Sequence, residues 1–557
     1  MGNTPKDSGE KAGIFSPLGH STFRSMWVSN TVSNAGSLIQ SVAAAWIMTS
    51  ISTADHVALV QTATFLPMAL LALPAGAVAD IFDRRKVQMV CFLLSMVAAA
   101  LMTLISWLDM ITPWNLLGLC ALVGTGAALA APARGASVAE QVPKVLIPQA
   151  VALNNISYNV ARSVGPALGG MLVSAFGATV AFALNTLSFL PMLESLRRWQ
   201  RQAESSRLPP EGMLRSINSG VRYVLNMQPL RRAMGRAFVV CFFGAALPSL
   251  MPLIASELLQ GSANTFGLML GCFGVGAVCG IFVLDPLRTR LGNEGTLRLC
   301  SALVAGGILA LAYSRNVYLD YAILLAAGMA WMVITTTISV MVQLFVPRWV
   351  MGRAIATSSA AITLGVATGA WLWGVIARDY GLIIAFDVAA AGLLATIVLG
   401  VLLPVADRTS ATELDEVALS DPDVNLAITG RSGPITIDLQ YRIALDEARD
   451  FYKLMREQGK ARRRNGAYDW SLSRNIGDPE VWSERFSCPT WNDYLRLRGR
   501  RTLEESAMHN KAMAMHIGAE PVKVSRWLGR PSGSVRWSDD VPDRGDDAIH
   551  LQGPGVQ

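Results

Sequence analysis

Long apolar blocks alternate with short polar breaks along the first four hundred residues. Blocks of about 20 residues, enough for a helix to cross a bilayer core, recur at 23–50, 55–79, 87–108, 113–133, 149–175 and 178–194. They resume after a charged stretch at 234–257, 264–284, 296–313, 318–345, 354–377 and 382–404. The pattern predicts an all-α polytopic membrane protein of twelve transmembrane helices, in bundles of six over 23–194 and 234–404. Beyond this the periodicity changes. Residues 405–434 are acidic and turn-rich and read as a linker. Ile435, Ile437, Leu439, Tyr441 and Ile443 then alternate as in a half-buried strand, and Ala448, Phe451, Tyr452 and Met455 take helical spacing. Strand patterns at 468–472, 481–488 and 522–527, with helix across 491–516, give the order βαββαβ for a small α+β domain at 435–529. Residues 1–22 read as a polar tail, and 530–557, rich in Gly, Pro, Asp and Arg, as a disordered one.

The loops test the count. Those after helices two, four, six, eight and ten carry Arg84, Arg85 and Lys86; Arg134 and Lys144; the 195–233 cluster; Arg288 and Arg290; and Arg348 and Arg353. The opposite loops are nearly bare, with Arg315 and Arg378 as the exceptions. Lys and Arg are retained on the cytoplasmic side, so both termini and the central loop are expected there, in an inner-membrane protein. Met213, Ile217, Val221, Tyr223 and Val224 in the central loop suggest a partly amphipathic helix on the inner leaflet. The first apolar segment lacks a convincing cleavage site and is expected to stay as helix one.

An internal repeat supports the two halves independently, because residues 142–182 align without a gap to 346–386 at an offset of 204. Val142, Pro143 and Lys144 face Val346, Pro347 and Arg348. Ala150, Gly165, Leu168, Gly170, Gly177, Ala181 and Phe182 face Ala354, Gly369, Leu372, Gly374, Gly381, Ala385 and Phe386.

Composition narrows the function. A chain 52% hydrophobic and only 16% charged, with mean hydropathy +0.39, is too apolar for an ordinary soluble enzyme of 557 residues. Its net charge of +7 follows from membrane topology and needs no nucleic acid. The seven cysteines include no C-x-x-C pair and read as inert buried thiols. No P-loop is present, so secondary transport is expected, with no cofactor or metal.

Helix five holds the sharpest chemistry. Asn155, Arg162 and Pro166 fall within about 40° on a helical wheel with Tyr158 beside them, and an Arg near mid-span is costly unless it meets water or a partner. The repeat places Val366 opposite Arg162, so the fold itself does not demand the charge. Arg162 is therefore expected on the transport path. A polar face in helix one, including Asn30, Asn34 and Gln40, is a second stretch of that path. Among carboxylates that could carry protons, Asp387 is the most central, with Asp80, Asp285, Glu194 and Glu257 nearer helix ends. His509 and His516, seven apart, read as surface histidines, and Arg456 with residues 460–464 as a solvated basic run.

Two motifs resemble known families. Gly76, Asp80, Asp83, Arg84, Arg85 and Lys86 after helix two resemble the loop signature of the major facilitator superfamily, where Gly permits close helix contact and the charges form a cytoplasmic latch. Ile81 and Asp83 depart from that pattern. Pro132-Ala133-Arg134, then Asn154-Asn155 and Arg162 with Gly165, Pro166, Gly169 and Gly170, resemble the exporter branch called transmembrane secretion effectors, related to the enterobactin exporter. The resemblance implies alternating access in a lipid bilayer, export of a siderophore, drug or amphiphilic metabolite, and proton exchange. The βαββαβ segment, with Trp482, Glu484, Phe486 and Trp491, is similar to the ferredoxin-like domain appended to some of these transporters. Pairing of two such sheets would make a homodimer. The same fold occurs in small monooxygenases, so a transporter fused to an enzyme is the rival reading, and an importer of the same fold a third.

Overall fold

The computed structural model describes residues 15–200, 221–346, 351–402, 428–499 and 501–529, with four more between 422 and 426. Residues 1–14 of the N-terminal tail, the C-terminal tail, most of the linker, Met213 and Ile217 lie outside them. Six helices form the first half: α1 (Ser21–Ile51), α2 (Ala54–Ile81), α3 (Arg84–Trp107), α4 (Pro113–Ser137), α5 (Ile147–Phe176) and α6 (Ala178–Arg198). The second half follows with α7 (Gln228–Gly244), α8 (Ala246–Leu253) extended by a π-turn to Leu258, α9 (Ala263–Tyr313), α10 (Val317–Phe345), α11 (Met351–Tyr380) and α12 (Leu382–Leu402). The spans expected at 264–284 and 296–313 are not separated by a loop. They are two legs of α9, bent where Gly292 takes φ 68°, a backbone region that only glycine enters freely. By length and composition alone eight stretches among the described residues qualify as spans; α9 counts once for its two legs, and α12 enters only as a shorter apolar helix, Leu382–Val398. Helices α1 and α5, which carry the polar residues named above, are not among them.

Each half packs by its glycines. Gly165 and Gly169 of α5 bring that helix against Leu38 and Ile39 of α1, and the repeat mate of Gly165 does the same in the second half: Gly369 of α11 sits on the Phe242 carbonyl of α7, with Trp373 standing where the first half has Gly169. The paired residues Ala150 and Ala354, Ala181 and Ala385, and Phe182 and Phe386 are all fully buried. The sequence repeat is thus a packing repeat, in which small residues let backbones approach where lipid supplies no hydrophobic drive.

The second compact unit contains the C-terminal domain together with residues of the central loop up to Arg231. Strands β1 (Ile435–Arg442), β2 (Tyr468–Arg474), β3 (Val481–Cys488) and β4 (Lys523–Leu528) form one antiparallel sheet in the order β2-β3-β1-β4, the ferredoxin-like arrangement. Helices α13 (Ala448–Asn465), α14 (Trp491–Gly499) and α15 (Leu503–Ala514) complete the βαββαβ order. All five alternating residues from Ile435 to Ile443 are buried, as are Phe451 and Met455, but Tyr452 is exposed. Thr502 and Glu505 form a reciprocal capping box that divides the helical stretch predicted at 491–516 into two helices. Tyr223, expected at the inner leaflet, is instead buried in this unit, with the Arg464 guanidinium 5.7 Å from its ring. The stacked cation gives the ring a partner that a lipid surface would not.

Candidate functional site

The end of the bundles bearing the Lys- and Arg-rich loops is here called the basic end, and the opposite one the bare end. The contacts described between the two halves gather toward the bare end. A Cβ on Gly170 of α5 would stand 2.7 Å from Gly267 Cα of α9, and one on Gly374 of α11, its repeat mate, 2.6 Å from Ala58 of α2. Two seams, α5 against α9 and α2 against α11, are therefore closed by the same duplicated glycine. The α2 and α11 seam also carries a hydrogen bond from Thr62 to the Ala367 carbonyl, 2.8 Å, and an ion pair in which Arg378 Nη1 donates to Asp55 Oδ2 at 3.0 Å. Trp46 and Phe266 stack across the halves at the same level.

The α5 and α9 seam runs from Gly170 to Arg162, whose carbonyl lies 2.6 Å from where a Cβ on Gly274 would stand, and the other sequence-predicted transport-path residues of α5 lie beyond it toward the basic end. Arg162 holds its guanidinium 5.7 Å from the Phe273 ring of α9 and makes no hydrogen bond or ion pair among the described residues. One turn nearer the basic end Tyr158 is half exposed, and Asn155 is exposed. Arg134, at the end of α4, donates to the buried amide oxygen of Asn30 on α1 at 3.1 Å and lies within electrostatic reach of Tyr158. Hydrogen bonds from Trp27 to the Leu153 carbonyl (3.0 Å) and between Thr31 and Ser157 (2.6 Å) fix α1 against α5. Asn30, Arg134, Tyr158 and Arg162 thus belong to one wall. Asn34 is half-buried one turn along α1.

Two expected path residues sit elsewhere. Gln40 accepts from Asn185 of α6 at 2.6 Å, which commits its amide to packing within the first half. Asp387 is only six residues into α12 and accepts from the Tyr313 hydroxyl at 2.8 Å, so it stands near a helix end rather than mid-span.

The loop after α2 acts as a brace within the first half. Asp83 caps α3 by accepting from the Arg85 and Lys86 amides, Arg84 pairs with Glu140 beyond α4 at 2.8 Å, and Arg85 donates to the last carbonyls of α6, Leu196 and Arg197, both at 2.7 Å. These cations neutralise the negative ends of helix dipoles. Gly76 does not make the close contact expected of it, because among the described residues no atom outside its own helix backbone lies within 4 Å of where its Cβ would stand. The α2 and α11 contacts end near Thr62, about 21 Å away along the helix at 1.5 Å per residue. The side chain of Asp80 lies outside the described residues. In the second half, Arg236 and Arg298 both donate to Glu294, at 2.8 and 3.0 Å, and Arg298 to the Gly400 carbonyl of α12.

Two carboxylates were missed in the sequence. Asp55 opens the second apolar block, and Asp320 lies in the first turn of α10, fully buried, with neither carboxylate oxygen in a hydrogen bond among the described residues. The signal for both was the pair of arginines that broke the loop rule. Arg378 meets Asp55 and Asp379, and Arg315 lies within electrostatic reach of Asp320.

In the C-terminal domain Glu484 is fully buried and accepts from Arg462 Nε (3.2 Å), Trp470 Nε1 (3.0 Å) and the Tyr441 hydroxyl (3.4 Å). Burial, with Glu484 beside it, pushes the Tyr441 hydroxyl above its ordinary range, and burial pushes the Cys488 thiol up to about 12. His509 is not the surface residue expected. It is largely enclosed against Gln458, and burial beside Arg462 and Arg501 lowers it to about 3. His516 instead accepts the Arg442 amide, tying the end of α15 to β1.

Residues 12–532 match the family described as transmembrane secretion effector. The chain is 20% identical to the staphyloferrin A transporter of Staphylococcus aureus over 63% of its own length and 89% of that protein's. It is 22% identical to the multidrug efflux pump Tap of Mycolicibacterium fortuitum, over 66% and 92% of the two lengths. Among solved structures it resembles an inward-facing bacterial homologue of the lysosomal transporter Spinster, with TM-score 0.54 and 15% identity, over 71% of this chain and 96% of that one. An auto-inhibited peptide transporter matches at TM-score 0.57 and 11% identity, over 70% and 98%.

Proposed function

The chain belongs to the transmembrane secretion effector family of the major facilitator superfamily, and we propose that it exports a small anionic amphiphile, a siderophore or drug, from the cytoplasm by alternating access. The observation that carries the substrate class is the pairing of Arg134 and Arg162 on one wall. Arg134 meets an amide and Arg162 an aromatic ring, and neither has a carboxylate partner among the described residues. An Arg in a span costs about 2.5–3.5 kcal/mol even on insertion scales. A substrate carrying negative charge supplies what the wall omits, and Phe273 offers its apolar part a surface.

The halves touch toward the bare end, so the wall opens toward the basic one. The arginines of the loops support a cytoplasmic basic end; on this reading the state is inward-facing and both termini and the C-terminal domain lie on the inside. Relatives named as a siderophore transporter and a multidrug efflux pump support export. Proton exchange drives the cycle, with Asp320 as the carboxylate best suited to hold the proton.

The test is retention of anionic and cationic fluorescent dyes in cells expressing the full-length chain. Anionic dye should be extruded preferentially, and Arg162→Ala should abolish this at equal membrane abundance. Extrusion by that variant at the wild-type rate, or a preference for cations, would falsify the assignment.

A further inference from the structure

Beside α13, between α14 and α15, lies a shallow open cleft with about 20 Å3 of enclosed space, bounded by Gln458, Arg462, Asn465, Arg501 and Glu505. Most of its charges are already paired. Arg462 is taken by Glu484 and lies 4.7 Å over the Phe486 ring, while Glu505 accepts from Arg464 and from Asn465 at 2.7 Å.

Two groups are left over. Arg501 has no hydrogen-bond or ion-pair partner among the described residues, although its surroundings are largely desolvated; Arg462 and Arg498 lie within its electrostatic reach, as does Glu505, whose carboxylate is already taken by Arg464 and Asn465. Gln458 is only 3% exposed, yet its Oε1 accepts nothing, its Nε2 being directed at His509 Nδ1 at 3.4 Å. A half-buried guanidinium that no carboxylate contacts directly is unfavourable, and so is a buried amide oxygen without a donor. A bound molecule relieves both only if it brings negative oxygens and an O–H donor together.

We propose that this cleft binds the head of a small anion that also carries a hydroxyl, a hydroxycarboxylate or a protonated phosphate. Arg501 takes the anionic oxygens through its planar fork, a geometry that suits carboxylate and phosphate alike. Gln458 Oε1 accepts the O–H. His509 stays neutral beside them and adds no charge. The hydroxyl fills the enclosed space, which is about one water in size, and the anionic oxygens and the rest of the ligand lie at the open mouth.

Thermal unfolding of the full-length chain in detergent, followed with inorganic phosphate, malate or succinate added, tests the site. Phosphate or malate should raise the midpoint of the C-terminal transition by about 2 °C or more at saturation. Succinate, which lacks the hydroxyl, should bind at least about tenfold more weakly than malate. Arg501→Gln should remove the shift, and Arg501→Lys, which keeps the charge but loses the fork, should weaken it. Should these variants fail to fold, calorimetric titration of the wild-type chain decides: saturable one-to-one binding of phosphate or malate supports the site. Absence of saturable binding, a shift retained in Arg501→Gln, or succinate binding as well as malate overturns the proposal.

Discussion

Arg378 Nη1 donates to Asp55 Oδ2 at 3.0 Å, an ion pair that links α11 of the second half to α2 of the first. It closes the seam where Gly374 already brings the two helices together. The pair is partly exposed, and such pairs contribute about 0.2–1 kcal/mol. Its effect falls on the balance between states rather than on folding. Asp55→Asn or Arg378→Gln should shift that balance up to about fivefold toward the outward-facing form. Labelling of Thr62→Cys by a water-soluble thiol reagent should quicken accordingly, and the exchanged pair Asp55→Arg with Arg378→Asp should restore protection. Unchanged labelling in all three would sink the latch.

Gly170 and Gly76 should respond in opposite ways. A Cβ on Gly170 would meet the Ala263 carbonyl at 2.5 Å and Gly267 Cα at 2.7 Å, both backbone atoms that cannot rotate aside. Gly170→Ala should therefore force α5 from α9 and reduce both abundance and efflux, whereas Gly76→Ala should reach the membrane at wild-type level. If Gly76 becomes a contact when the basic end closes, Gly76→Leu should be abundant yet inactive. Equal abundance of Gly170→Ala and wild type would count against the seam.

How far these features were legible in the sequence depends on what each one needed. The twelve spans follow from block length, and the halving follows from the offset repeat, because both are periodic along the chain. Gly165 and Gly170 stood out as motif glycines, but not that one faces α1 and the other α9, since that difference lies in the partner helix. Asp387 and Asp320 show the same limit. Helices α10 and α12 start where the hydropathy blocks did, so both carboxylates already stood near block ends and Asp387 was central only by comparison with the other candidates; what the sequence did not show is that Asp320 alone of the two is sealed from solvent. Tyr223 was misplaced because its burial comes from Arg464, some 240 residues away in sequence.

Asp320 should carry the pH response of transport. A charged carboxylate fully buried without hydrogen-bond donors is strongly disfavoured, so it either takes a proton or draws on Arg315, with Ser314 and Tyr321 as its other polar neighbours. Asp320→Asn should retain substrate binding but lose acceleration by an imposed proton gradient, at least about tenfold in proteoliposomes. Gradient-driven efflux at the wild-type rate in that variant would exclude the role.

Glu484 should matter more for stability than any other carboxylate of the C-terminal domain. Glu484→Gln leaves Arg462 charged and buried without its counter-ion, a loss of about 3–5 kcal/mol by the usual cost of breaking a buried pair. Limited proteolysis of the full-length protein should cut the domain of this variant at denaturant concentrations that the wild type resists, while the membrane helices stay intact. Equal resistance would show that the network is not needed for stability.

His509 gives the domain a pH dependence whose sign follows from its environment. Burial holds the folded imidazole neutral down to about pH 3, whereas the unfolded chain takes up a proton near the ordinary value of 6.5. Between those values the unfolded state binds more protons, so stability is fully present above about pH 6.5 and declines as the pH falls toward 3, by at most about 1.4 kcal/mol per pH unit. Arg462 and Arg501 strengthen the effect, because a third positive charge beside them is repelled. His509→Gln can still bond to Gln458 but cannot titrate, and should flatten the decline between pH 6.5 and 5 in urea unfolding of the C-terminal transition. A slope in the variant as steep as the wild type's would assign the acid sensitivity to the carboxylates instead.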